Sequence, residues 1–112
     1  MRFVKITIGG KPTSGDVVIA YYRARAGGQT ETAYVVQEGD GLDRISEQIA
    51  AGMNTHWCKP LFRAKADGNV IMLGILEGAE DVELGYHVTH IVGVNHLFTE
   101  PGGTETIAFE EL

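Results

Sequence analysis

Apolar and polar residues alternate along most of this chain, with a period of two in every long segment but one. Val4, Ile6 and Ile8 alternate with Phe3, Lys5 and Thr7, which predicts a strand with one face rich in β-branched residues. Gly9 to Gly15 breaks that run with turn formers. Asp16 to Ala24, DVVIAYYRA, is apolar on both faces and predicts a central strand covered on both sides. Ala26-Gly27-Gly28-Gln29 predicts a hairpin connection, with Thr30 to Gln37 returning as a third strand.

The exception lies between Val35 and Asn54. Leu42, Ile45, Ile49 and Met53 recur at spacings of three and four, which places them on one face of a helix. Asp40 stands where an N-cap belongs, Asp43 falls in the first turn, and Gly52 or Asn54 marks the end. After a loop around Trp57 and Cys58, Pro60 to Ala66 predicts a fourth strand. Asp67-Gly68 is a two-residue turn signal, and Asn69 to Ile75 completes that hairpin. Glu77 to Asp81 reads as an acidic turn. Val82 to Val92 reads as a long strand bent at Gly85 or near Gly93. Pro101-Gly102-Gly103 predicts a last hairpin turn, and Thr104 to Glu110 a last strand. The pattern is that of an α+β domain: mostly antiparallel β, about seven strands, sandwich-like, with one amphipathic helix in the order β-β-β-α-β-β-β-β.

Length and composition narrow the classes. A chain of 112 residues predicts a single domain over residues 1–112, and 44% hydrophobic with 21% charged residues excludes a disordered chain. The net charge of -6, with nine scattered basic residues, argues against nucleic-acid binding. Arg23, Arg25, Lys59, Arg63 and Lys65 read as a solvated strand face. No charged-then-apolar leader opens the chain, and no apolar run approaches the roughly 20 residues that span a bilayer. A soluble protein made in the cytoplasm is expected, with no membrane partner. The single cysteine, Cys58, excludes an intramolecular disulfide.

Candidate chemistry is sparse. His87 and His90 are three apart on a strand and point to opposite faces, while His56 and Cys58 lack the further ligands of a zinc site. Ser14 and Ser46 lack a nucleophile elbow, and Cys58 beside His56 reads as a small buried thiol. Glu77, Glu80, Asp81 and Glu83 form a solvated acidic turn without calcium-loop spacing, and Gly9-Gly10-Lys11-Pro12-Thr13 lacks the spacing of a phosphate loop. No catalytic residue, metal or cofactor is expected, and the chain does not read as an enzyme. Trp57, Leu97 and Phe98 are the loop residues suited to anchoring a partner.

Two resemblances bear on function. Val36 to Ile45 resembles the opening of a LysM module, in which a strand and a Gly-Asp turn lead into a helix. Such modules bind peptidoglycan or chitin. The likeness stops at Pro60 to Ile75, a hairpin where LysM has a second helix. The longer pattern begins with Gly10-Lys11-Pro12-Thr13-Ser14-Gly15-Asp16 before a strand. It continues through Tyr34 to Asp40 with Leu42, Ile45, Ile49-Ala50-Ala51 and Asn54, then Phe62 to Leu73. Over about residues 9 to 75 this resembles a small domain of tailed-bacteriophage tail proteins. It departs at Gly52-Met53-Asn54, where that family has Ile-Asn, and at the Trp57-Cys58 loop and the strand from Val82.

The second resemblance implies a structural virion component: a tail, baseplate or fibre-associated subunit that assembles with other phage tail proteins and with copies of itself. The expected mechanism is edge-strand pairing by the terminal strands, Phe3 to Ile8 and Thr104 to Phe109, with anchoring by loops. The contact residues expected are Phe3, Ile6, Trp57, Leu97, Phe98 and Ile107. Removing Met1 to Ile8 is then expected to abolish assembly and leave most of the fold. The alternative is a carbohydrate or cell-wall binding module, with Trp57, Tyr21 or Tyr22 as its aromatic platform.

Overall fold

The computed structural model describes residues 1–24, 27–55, 61–92 and 97–112. Among them are eight strands and one helix: β1 (Arg2–Gly9), β2 (Asp16–Arg23), β3 (Gln29–Val35), α1 (Leu42–Met53), β4 (Phe62–Asp67), β5 (Val70–Ile75), β6 (Glu83–Val92), β7 (Leu97–Thr99) and β8 (Thr106–Glu111). The α+β class and the order of elements are those the sequence predicts. The short β7 is added where only a loop mouth was expected. The strands form two four-stranded antiparallel sheets, β4-β5-β1-β8 and β3-β2-β6-β7.

The period-two pattern sets which side chains face inward. Val4, Ile6 and Ile8 of β1 meet Ile71, Leu73 and Ile75 of β5 on the inner face of the first sheet. Val18, Ala20 and Tyr22 of β2 supply the inner face of the second. Tyr22 stacks edge-on against Phe62 with ring centroids 4.6 Å apart, and its hydroxyl bonds Thr32 at 2.9 Å. The helix touches β4, β5 and β1 of one sheet and β3 of the other. It closes that side of the sandwich with Ile45, Ile49 and Met53, all fully buried. On the far side β8 approaches β6.

Several expectations need correction. Asp40 does not cap the helix; Gly41 is the N-cap residue and supplies no side-chain bond. The Asp40 carboxylate instead accepts both the Gln37 N–H and the Tyr34 hydroxyl at Oδ2, which holds the side chain back against β3 and the turn before the helix. The β4–β5 turn is Gly68-Asn69, one residue later than read, because Asp67 pairs directly with Val70 and Gly68 takes φ +60. Pro101 to Gly103 is no hairpin turn: β7 pairs with β6 and β8 with β1, so this segment crosses between sheets. Strand β2 is central as expected, yet no described strand or helix lies over its outer face, which Val17, Ile19 and Tyr21 occupy.

The largest correction concerns β1. It is hydrogen-bonded on both sides, to β5 and β8, and presents no free edge. Removing Met1 to Ile8 would take out three fully buried core residues, so such a truncation tests folding rather than assembly.

Candidate functional site

The outer face of the β4-β5-β1-β8 sheet is the feature that the fold leaves unexplained. Each inward residue of β1 and β5 has an outward neighbour, and the pairing register arranges those neighbours in rows. The row nearest the N-terminus runs Arg63, Gly74, Phe3, with Leu112 beside Phe3 through its N–H to the Phe3 carbonyl at 3.0 Å. The middle row runs Lys65, Met72, Lys5, Glu110. The third runs Asp67, Val70, Thr7, Ala108.

Phe3 is 51% exposed and Met72 42%, while Met1 and Leu112 are more exposed still. Gly74 leaves a low point beside Phe3. A Cβ there would lie 3.4 Å from the Met1 sulfur and 3.6 Å from the Phe3 ring, so both side chains lean over it. Contiguous exposed apolar groups framed by charges are the usual mark of a docking surface.

The residues expected at an interface divide. Phe3 and Phe98 are exposed, Phe98 at 65%, on the outer faces of different sheets, so they do not share one patch. Ile6 and Ile107 point into the core at 0% and 4% exposure and offer nothing to a partner. Leu97 belongs to β7, but its side chain lies outside the described residues, as do Trp57, His56, Cys58, Arg25 and Lys59. Met72, Met1 and Leu112 were missed. The signal for Met72 was present in NVIMLGI, where apolar residues occupy both faces of one strand.

A second feature is polar and internal. Asp16, at the start of β2, is completely buried. Its Oδ1 accepts the Gly102 N–H at 2.8 Å, its Oδ2 the Gly103 N–H at 2.8 Å, and His90 Nδ1 lies 2.7 Å from Oδ1. Burial pushes the Asp16 carboxyl up, but the donors on Gly102, Glu105, His90 and Gly103 outweigh it and hold the group below the ordinary carboxylate range. An ionised carboxylate only accepts, so Nδ1 of His90 carries the hydrogen between them.

Glu105 lies beside this cluster at 5% exposure. Its Oε2 accepts the Thr13 N–H at 3.2 Å, whereas Oε1 is buried with no donor facing it. Burial first, then the neighbouring Asp16, push the Glu105 carboxyl up. The two carboxyls are thus shifted in opposite directions, Asp16 towards the ionised form and Glu105 towards the protonated one. Asp16, His90 and Glu105 bring together β2, β6 and the approach to β8, and they bind down the crossover after β7. Every oxygen of Asp16 is occupied, so the cluster works as a clamp on the chain path. His90, expected from sequence to be no metal ligand, has its Nδ1 committed to Asp16. The acid pair was missed because its members lie 89 positions apart.

A cleft of about 340 Å³ opens between the β2–β3 turn and the loop at residues 78–82, walled by Tyr22, Leu61, Ala79 and Val82 with Gln29 and Asp81 at its rim. Tyr22 is 2% exposed and committed to Thr32 and Phe62, so it offers no ring face to a sugar. Tyr21 lies over Gly85, where a Cβ would come within 2.3 Å of its ring. Among the described residues no group of three or more His, Cys, Asp or Glu is placed to hold a metal ion, and no helix is long and apolar enough to cross a membrane. No protein-family model, curated protein or solved structure matches this chain.

Proposed function

We propose that this chain is a non-enzymatic structural component of a bacteriophage tail, a tail, baseplate or fibre-associated subunit that works by docking to neighbouring tail proteins in the virion. The motif order over about residues 9 to 75 suggests the family. The exposed apolar group of Phe3, Met72, Met1 and Leu112 on the outer face of the β4-β5-β1-β8 sheet is the observation that carries the assembly role. Full burial of such a side chain from water is worth roughly 1.5–3 kcal/mol, and with about half of each already covered, the remaining half is the drive available to a partner. This reading replaces the edge pairing of β1 with face packing, because β1 has no edge.

The test is made on particles. Tailed particles from a host that encodes the chain are purified and labelled with antibody against it, beside particles complemented with the Phe3→Ser, Met72→Ser double variant. Label on the tail that disappears with the variant supports the proposal. Infectious particles that lack the chain altogether overturn it.

A further inference from the structure

We infer that the partner seated on the outer face of the β4-β5-β1-β8 sheet is a second copy of the chain, related by a twofold axis that runs along the strands between two facing sheets. The inference rests on the reading of that face as a docking surface and goes on to name the occupant. Its ground is the order of charge across the sheet. From β4 to β8 the middle row reads Lys65, Met72, Lys5, Glu110, with cation at one margin, anion at the other and the apolar residue inside. Lys65 and Glu110 are both exposed.

Two face-to-face twofold arrangements are open to such a sheet. An axis along the strands keeps each row in register and exchanges the margins, so that β4 of one copy lies over β8 of the other. Lys65 then meets the partner's Glu110, and Glu110 the partner's Lys65. Asp67 falls over the partner's Ala108, and no charge meets its like. An axis across the strands instead lays each strand on its own copy. Lys65 would meet Lys65, Lys5 would meet Lys5 and Glu110 would meet Glu110, three like-charge oppositions on the axis that outnumber the two Arg63–Asp67 attractions gained as the outer rows exchange. The charge layout therefore selects the first arrangement.

Shape agrees. The selected axis sets β5 over the partner's β1, which brings each Phe3 opposite Gly74 of the partner subunit, where Met1 and Phe3 already lean over that glycine, so the Phe3 and Met1 side chains of the two copies pack together. The two Met72 side chains lie one row on, against the aliphatic stems of Lys5. Sheets packed this way keep their strands within about 30° of each other, a rotation that long lysine side chains absorb. The face is four strands wide at about 4.8 Å and six residues long at about 3.4 Å, roughly 20 Å on a side. That is about 400 Å² per copy and about 800 Å² in total, below the range of stable interfaces and in that of weak, transient ones, so the dimer forms in a concentration-dependent way.

The experiment is sedimentation equilibrium of the full chain across micromolar to millimolar concentration, with Lys65→Glu, Glu110→Lys and the double exchange. Wild type should pass from 12.1 kDa to twice that mass. Each single reversal turns two attractions into two repulsions and should weaken self-association by roughly tenfold, and the double exchange should recover most of the loss. Wild-type association should also weaken as salt rises. A wild type that stays at 12.1 kDa throughout overturns the inference. So does a double exchange as weak as the single reversals, because Lys65 and Glu110 then do not face each other. Either result leaves the tail proposal standing if antibody still marks tails and the Phe3→Ser, Met72→Ser variant still fails to enter them.

Discussion

Where α1 bridges β4 of one sheet and β3 of the other, the sandwich is closed by Ile45, Ile49 and Met53, none of which carries a polar atom that needs a partner. Where the chain crosses from β7 to β8, it is held by a buried carboxylate, two glycine N–H groups, a histidine and a second acid. Apolar closure is non-directional and indifferent to pH; it fills space. Polar closure is directional and works in one ionisation state. The helix side thus sets how tightly the sheets are held together. The crossover side sets which path the chain takes, and makes that path sensitive to protons.

The comparison is broken most forcefully from the helix side. Ile49→Ala removes three buried carbons between the sheets and should cost about 3–4 kcal/mol of unfolding free energy by urea titration. The loss should be the same at pH 4 and pH 8, since nothing ionisable is touched. A pH-dependent loss would show that the two sides are not independent.

Asp16→Asn should cost less, about 2–3 kcal/mol at pH 7, because an amide N–H must face a glycine N–H where a carboxylate oxygen accepted it. Asp16 titrates below its ordinary range in the fold. Its stabilisation is therefore fully present above the unfolded-state value and is lost as pH falls through the folded one. The gap between wild type and variant should close on acidification, as read by urea midpoints at pH 7 and in strong acid.

Glu105→Gln sharpens the contrast with the smallest effect. Glu105 titrates above its ordinary range, so its stabilisation is present below the unfolded-state value and lost as pH rises through the folded one. Glutamine keeps the donor to Asp16 and the acceptor for Thr13 at every pH. The variant should match wild type in mild acid and exceed it by on the order of 1 kcal/mol in mild alkali. Parallel stability–pH curves for the two proteins would show that Glu105 does not titrate above its ordinary range.

What the chain disclosed before its structure was known follows from how local each feature is. The helix and its buried face were legible, because Leu42, Ile45, Ile49 and Met53 encode them within a dozen positions, although its N-cap was placed one residue early. The strands were legible for the same reason, with ends misplaced by one or two residues. Strand neighbours were not. Pairing of β1 with β8 joins residues about a hundred positions apart, and no local pattern distinguishes a terminal strand at an edge from one in the middle. The carboxyl pair failed on the same ground. Asp16 looks like an ordinary strand opener until Gly102, Gly103 and Glu105 arrive from the other end of the chain. Asp40 failed differently: the residue type was right for a cap, but its carboxylate is drawn back to the Gln37 N–H and the Tyr34 hydroxyl.

The end of α1 carries one more consequence. The Asn54 side chain donates to the Ala64 carbonyl at 2.7 Å and accepts the Ala64 N–H at 2.8 Å, standing in for a peptide unit on the open margin of β4. A side-chain amide used in this way is a stopper: it satisfies the ladder site that an incoming strand would need and supplies no continuation. An incoming strand is therefore hindered at Ala64 on the β4 margin, which makes β8 the more open of the two edges of the first sheet.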